Sequence, residues 1–381
     1  MQLNPVHAQR LASLQSYLEA DPENVQLRAD IFDVALEAGD FGLAEQQIGV
    51  VLQKTPDAKP WLHRQALLFL ARKDYSVAQT ALEALLTAGV NDVAVLYNLA
   101  YVLFAQGQVK AALDRLAPVV DAAGEVMQPA LALWLRCMHH LIQLDEGLRK
   151  FDSYASTHTV TEEVLGVASL MALDVGRTEE ADAWSARALA VNTNRLEALV
   201  VQGSLVLGRQ DMTTAQALFE RALAVNQADG RSWSGLAFTY LLEHRLDLAL
   251  QAFHHAVRAM TQHIGTWIGL GWCEFMRRDL PAAHQAFASA LVLDRNFGES
   301  HGSLAVVLVA EGKRAEAARE VELALGLDKA CLSARYAQAM LSGEVNDPVA
   351  FRRLAQRVLA QHRGPREGLS LADVAFKARS R

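Results

Sequence analysis

Written in rows of 34 residues, the stretch Glu162–Cys331 repeats itself. Rows starting at Glu162, Leu196, Gly230, Ile264 and Gly298 carry alanine at column 20 (Ala181, Ala215, Ala249, Ala283, Ala317) and again at column 27 (Ala188, Ala222, Ala256, Ala290, Ala324). Column 24 reads Ser185, Phe219, Phe253, Phe287 and Val321, and column 8 reads Ser169, Gly203, Ala237, Gly271 and Ala305. A fixed period of this length means stacked supersecondary units, each of which needs its neighbours to bury its apolar face. It constrains the fold far more than the composition does, which is ordinary at 51% hydrophobic residues and a formal charge of −7.

One row defines the unit. In Gly230–His263, Trp233, Leu236, Ala237 and Tyr240 fall at i, i+3, i+4 and i+7, one face of a helix. The polar break Glu243-His244-Arg245 follows, and Leu246, Ala249, Leu250, Phe253 and Val257 mark a second amphipathic helix. The row is a helix-turn-helix hairpin. Small residues at columns 8 and 20 are expected where its helices cross, so that the backbones can approach. Column 15 holds Gly39, Gly107, Gly176 and Gly312, as a left-handed helix C-terminus prefers. Pro281 falls in the first turn of a second helix, where its missing N–H costs little.

These residues resemble the tetratricopeptide repeat family, whose pattern is Trp-x2-Leu-Gly-x2-Tyr followed by Ala, Phe, Ala and Pro. Gly230–His263 matches it with Trp233, Leu236, Ala237, Tyr240, Ala249, Phe253 and Ala256. Ile264–Phe297 matches it with Trp267, Leu270, Gly271, Ala283, Phe287 and Ala290. The resemblance implies an all-α, right-handed superhelical solenoid of about nine hairpins with capping helices at both ends.

The lattice also runs backward, through rows at Val25, Lys59 and Val93 and, after one extra residue, Gln128. Column 20 then reads Ala44, Ala78, Ala112 and Gly147. The expected organisation is a capping half-repeat at 1–24, three repeats at 25–127, an irregular repeat or joint at 128–161, and five repeats at 162–331. A degenerate repeat with a capping helix follows at 332–363, then a basic tail at 364–381. The half-repeat places Leu11, Leu14, Tyr17 and Leu18 on one face. The row Gln128–Thr161 departs most from the pattern, with Leu135 at column 8, Gly147 at column 20, Tyr154 at column 27 and Ile142 in place of the turn glycine. Pro118 before it is expected to kink or end its helix, and an irregular joint is expected near 118–161. After Cys331, Leu332–Leu341 can form one more helix. Asp347 and Pro348 then start a terminal helix with Phe351, Leu354, Val358 and Leu359 inside.

Several function classes lose support. The chain has no nucleophile elbow, Walker loop or dinucleotide fingerprint, and the repeats leave no room for a catalytic domain. No enzyme activity and no cofactor is expected. The pairs His139-His140 and His254-His255 diverge around their helices and gain no carboxylate or Cys at ligand spacing, so no metal is expected. Cys137, Cys273 and Cys331 read as reduced, packed thiols. The acidic balance argues against specific nucleic-acid binding. No apolar run approaches membrane-spanning length, and Met1–Arg10 does not read as a secretory signal. The expectation is a cytoplasmic protein.

The resemblance implies that columns 2, 5, 6, 9, 12 and 13 of each first helix line a concave groove. In the C-terminal rows those columns give Leu170 and Leu173, Val201 and Leu207, Phe238, Leu241 and Leu242, then Ile268, Trp272, Phe275 and Met276. The last row adds Gly302, Ser303, Val306 and Val309. Small members such as Gly235 and Gly269 are expected to leave room beside the large ones. Tyr97, Asn98, Tyr101 and Phe104 continue the surface, and Arg64, Arg136, His139 and His140 give it a basic margin. Asn98 stands where the family's carboxylate clamp has an asparagine, but His63, Leu67, Pro129 and Leu133 occupy four other clamp positions and argue against it.

An apolar groove of this kind accepts an amphipathic helix or extended apolar segment of another protein. The expected role is a non-enzymatic scaffold, adaptor or chaperone; some bacterial proteins of this family are chaperones for secretion-system components. The alternatives are a regulatory subunit of a separate enzyme and a self-assembling structural protein, which would use the same face for self-association.

Overall fold

The computed structural model describes residues 5–121 and 126–344, and in them twenty α-helices and no strand. The expected terminal helix after Asp347 and the tail at 364–381 lie outside the described residues.

Helix α1 (Pro5–Ala20) is followed by two alternating series. The even-numbered helices are the first helices of the rows: α2 (Val25–Ala38), α4 (Lys59–Ala71), α6 (Val93–Ala105), α8 (Gln128–His140), α10 (Glu162–Asp174), α12 (Leu196–Gly208), α14 (Gly230–Leu242), α16 (Ile264–Met276), α18 (Gly298–Ala310) and α20 (Leu332–Ser342). The odd-numbered helices are the second helices: α3 (Phe41–Lys54), α5 (Tyr75–Thr87), α7 (Val109–Val120), α9 (Leu144–Ala155), α11 (Thr178–Val191), α13 (Met212–Val225), α15 (Leu246–Ala259), α17 (Leu280–Leu293) and α19 (Arg314–Leu327). Every first helix starts on column 1 and every second helix on column 17. The fold is an all-α solenoid of helical hairpins.

The described residues fall into two compact units, divided between Val175 and Gly176. The first holds α1 to α10 and the second α11 to α20, so the division falls in the turn of the row that begins at Glu162. Residues 118–161 lie inside the first unit.

The turn between the two helices is set by the backbone. Column 15 is left-handed in all nine rows: in Gly39, Gly107, Gly176 and Gly312, and equally in Lys73, Ile142, Gln210, His244 and Arg278, with φ between 58° and 65° in the last five. In eight of these rows the N–H of column 15 bonds the carbonyl of column 12, and the N–H of column 16 bonds column 11. Gly107 donates to Phe104 (2.9 Å) and Gln108 to Leu103 (2.8 Å), while Ile142 donates to His139 (3.1 Å) and Gln143 to Met138 (2.9 Å). This is the paired closure of a Schellman turn, which satisfies carbonyls the helix end would otherwise leave bare. Three column-16 aspartates, Asp40, Asp211 and Asp279, also cap the next helix, whereas Asp74 at the same column makes no side-chain cap bond.

The column-20 alanines are fully buried, and so are Phe219, Phe253 and Phe287. The small residue at column 8 answers the column-24 ring. A Cβ on Gly271 would stand 2.4 Å from Phe287 Cε1, and one on Gly203 would stand 2.8 Å from Phe219 Cε1. Column 24 also meets column 6 of the following row: a Cβ on Gly235 would stand 2.2 Å from Phe219 Cζ, and one on Gly269 would stand 2.6 Å from Phe253 Cε1. Phenylalanine meets Gly235 and Gly269 along this seam, Val321 clusters with Ala337, and the column pattern pairs Ser185 with Val201 and Phe287 with Ser303, so that sizes in the second unit are complementary. The phenylalanine of the preceding row therefore occupies the space that a side chain at Gly235 or Gly269 would take.

The irregular row is compensated internally. A Cβ on Gly147 would meet Met171 Cε at 2.5 Å and Met138 Cβ at 3.2 Å, so glycine at column 20 balances two methionines. The hydroxyl of Tyr154 accepts from the Val126 N–H (3.3 Å) and from Gln128 Nε2 (3.1 Å), tying column 27 to the segment with the extra residue. Pro118 lies inside α7, which ends two residues later. In α1, Leu11, Leu14 and Leu18 pack on Ile31 and Val34, whereas Tyr17 is 62% exposed and leaves the expected apolar face.

Candidate functional site

The candidate surface is the exposed side of the first helices, taken in each unit by itself. In the first unit it is open at α6. Tyr101 is 41% exposed, and Tyr97, Asn98 and Phe104 are half-buried. Asn98 Nδ2 stands 3.1 Å from His63 Nε2. Burial lowers the pKa of His63, so its neutral ring accepts from the Asn98 amide, which is thus already partnered. The Phe104 ring meets His140 edge to face at 5.1 Å. Further along, α8 and α10 are buried almost all round, Leu170 among them at 9% exposure, and Leu173 is half-buried. The expected basic margin is paired: Arg64 with Asp33 (3.6 Å), Arg136 with Glu163 (2.8 Å) and His139 with Asp174 (2.7 Å).

In the second unit the surface runs along α12, α14 and α16. Val201 is fully buried, at the seam column opposite Ser185. Leu207, Phe238, Leu241, Ile268, Trp272, Phe275 and Met276 are half-buried, and Leu242 is 56% exposed. Several of these side chains work inward as well. Phe238 packs edge to face on Phe253 at 5.1 Å. Trp272 sits among Phe275 (5.7 Å), Phe287 (5.8 Å) and Tyr336 (6.3 Å) and belongs to the packing of α16 on α18 and α20. The expected surface ends at α18, because α20 lies on it. Ser303 Oγ donates to Ser333 Oγ at 3.3 Å, a Cβ on Gly302 would stand 2.6 Å from the Ala334 nitrogen, and Val306 is fully buried.

Between α12 and α14 the surface deepens into an open pocket of about 440 Å³. Val200, Ser204 and Leu207 line one side, and Ser234, Gly235, Phe238 and Leu242 the other. Arg231, Met260 and His263 also line it. Four of the predicted residues, Leu207, Gly235, Phe238 and Leu242, meet here. A search for apolar columns passes over Arg231, although it occupies column 2, and misses Met260 and His263, which stand in the turn before α16. Two turns of the same kind are pinned by column-4 indoles: Trp233 donates to the Gln227 carbonyl (2.8 Å) and Trp267 to the Thr261 carbonyl (2.9 Å).

The three thiols are buried and unpaired, and burial pushes their pKa values up, to about 12 for Cys137 and Cys331 and about 11 for Cys273. Among the described residues no group of three or more His, Cys, Asp or Glu side chains could hold a metal ion. No described helix is long and apolar enough to cross a membrane.

The comparisons with known proteins bear on the fold. Residues 63–124 and 200–262 match the tetratricopeptide repeat family model. No curated protein matches the chain. Among solved structures, the chain is similar to a tetratricopeptide repeat protein from Parabacteroides merdae, with 18% identity, 65% of this chain and 97% of that one covered, and a TM-score of 0.43. It is also similar to pilF of Pseudomonas aeruginosa, with 18% identity, 57% and 96% covered, and a TM-score of 0.42. YrrB, a TPR protein with an unusual peptide-binding site, gives 19% identity, 46% and 90% covered, and a TM-score of 0.37.

Proposed function

We propose that this chain, a tetratricopeptide repeat protein, binds an apolar or amphipathic segment of another protein on the first-helix face of α12, α14 and α16, as a scaffold, adaptor or chaperone. The observation that carries this reading is the pocket between α12 and α14. Packing between repeats fills the seam at column 6 but leaves Leu207, Phe238 and Leu242 around about 440 Å³ of accessible space. A concave apolar site with a few polar groups at its edge is the usual form of a ligand pocket. A helix face beside it suits an amphipathic helix anchored at i, i+3, i+4 and i+7. The exposed end of Leu242 is available for contact without unfolding.

The test is affinity capture from an extract of the native host, using the wild-type chain beside a Leu207→Glu/Leu242→Glu variant whose fold is checked by circular dichroism. A protein held by the wild type and lost by the folded variant supports the reading. A partner held equally by both refutes it. Sedimentation over a hundred-fold concentration range addresses self-assembly, and a single concentration-independent species is expected.

A further inference from the structure

We propose that the first unit carries a small-molecule site for a free α-amino acid with an aromatic side chain. It lies between the second helices α7 and α9, over α8, and is independent of the protein-binding reading of α12, α14 and α16.

The pocket there measures about 610 Å³, a size usual for small ligands. Leu113 of α7 and Trp134 and Met138 of α8 supply its apolar part. Trp134 stands at column 7, where the rows at Val93, Gly230, Ile264 and Gly298 have leucine. It is 7% exposed. A buried indole usually finds an acceptor for its N–H, and Trp233 and Trp267 find theirs on backbone carbonyls. Trp134 Nε1 makes no hydrogen bond among the described residues, and it is not one of the buried polar atoms sealed from solvent. Its N–H is thus left to the pocket.

The charged groups around it balance. Lys110 pairs with Asp114 (2.9 Å) and Lys150 with Asp121 (2.7 Å). That leaves Glu146 and Arg149, both exposed and both on α9. Three positions apart, they share one face of the helix. They form no ion pair with each other or with another described residue, and Arg149 Nε donates to the Asp145 carbonyl of its own helix (3.3 Å). Gln143, which begins α9, makes no side-chain cap bond and adds a neutral polar edge. A carboxylate and a guanidinium side by side, above an apolar floor with an unused N–H, fit a zwitterion with an apolar body. The ligand ammonium meets Glu146, and its carboxylate meets Arg149 and the Trp134 N–H. Its ring rests on Met138, whose sulfur favours aromatic contact. A ligand of single charge gains from one of the two α9 side chains and is repelled by the other.

The experiment is calorimetric titration of the full chain at low salt with L-phenylalanine, with N-acetyl-L-phenylalanine, which lacks the ammonium, and with L-phenylalanine amide, which lacks the carboxylate. L-phenylalanine is expected to bind about ten-fold more tightly than either analogue, with the margin narrowing as salt rises. Glu146→Gln is expected to remove the margin over the N-acetyl compound and keep that over the amide, and Arg149→Gln to do the reverse. Both side chains are exposed, so both variants keep the fold. Trp134→Phe, shown to be folded by circular dichroism, is expected to weaken L-phenylalanine about five-fold, and L-alanine is expected to bind at least about ten-fold more weakly than L-phenylalanine. No binding of L-phenylalanine to the folded wild-type chain overturns the site. Margins that survive in both charge variants overturn the roles of Glu146 and Arg149. Unchanged affinity in Trp134→Phe overturns the role of the indole N–H, and equal binding of L-alanine overturns the aromatic side chain. Each of these outcomes leaves the groove reading of α12, α14 and α16 standing.

Discussion

Replacing Ile142 by glycine should stabilise the hairpin of α8 and α9, although it removes a side chain. Ile142 occupies the left-handed column-15 position with φ 58°. That conformation costs an L-residue about 1–2 kcal/mol, and a β-branched side chain sits at the unfavourable end of the range. The side chain is 83% exposed, so its removal forfeits little burial. Glycine gives back about 0.5–1 kcal/mol through its freer unfolded chain. Setting a strain near 2 against an entropy near 1 leaves a net gain of about 1 kcal/mol. Stacked hairpins open in blocks, so a single melting temperature is a poor readout. Hydrogen exchange of peptides from α8 and α9 reads the local opening, and about 1 kcal/mol corresponds to roughly five-fold slower exchange. Ile142→Asn should recover part of the gain, since asparagine tolerates this conformation. Gly107→Ala supplies the converse: nothing lies within 4 Å of its Cβ position, so its cost is backbone strain alone, again about 1 kcal/mol. Unchanged or faster exchange in Ile142→Gly, together with a neutral Gly107→Ala, would refute the claim that the turn dictates its own φ.

The remaining predictions concern packing, the surface and the thiols. Gly235→Ala should destabilise the second unit by about 1–3 kcal/mol because its Cβ meets the Phe219 ring. In urea titrations Phe219→Leu should relieve most of that cost, and additive effects of the two changes would contradict the seam. Trp272→Glu should unfold or strongly destabilise the region of α16 to α20, whereas Leu242→Glu should stay within about 0.5 kcal/mol of wild type; equal denaturation midpoints for the two would remove the distinction between packed and exposed groove residues. The thiols should resist Ellman's reagent at pH 8 in the native chain and react only in denaturant, since burial raises all three pKa values. The unfolded chain ionises its thiols from about pH 8.5 and the native chain does not, so stability should fall as pH rises above that value. A Cys-to-Ala triple variant should flatten this slope, and an unchanged slope would refute the assignment.

Much of the architecture was legible because it is local. The phase of the lattice placed the start of every helix from α2 to α20, since apolar period, turn and cap all lie within one row. Glycine at four column-15 positions pointed to the left-handed turn, although Lys73, Ile142, Gln210, His244 and Arg278 show that the backbone adopts it whatever the side chain. The misreadings arise between rows. Gly269 looked like open space because the phenylalanine that fills it belongs to the preceding row, whereas Gly235 packs on Phe219 in the same way and still lines the pocket. Gly302, Ser303 and Val306 looked exposed because the closure of α20 on α18 depends on a tertiary contact with no counterpart in the column pattern. Arg231 was overlooked because an apolar search ignores the charged residue that gives an apolar pocket its polarity. Tyr17 obeyed the helical period and still faces solvent, since a capping helix has a neighbour on one side only.

The size matching along the seam also makes the rows non-interchangeable. Excising one whole row of 34 residues keeps every helix in phase, yet the outcome depends on which row is lost. Without Gly230–His263, Phe219 would face Gly269, a pair like those already present, and the shortened array would close. Without Leu196–Asp229, Ser185 would face Gly235, leaving a hole between two small residues where each existing pair places at least one larger side chain. The order of the repeats is thus written into their shapes, and duplication or loss of a row is tolerated only where the new neighbours fit.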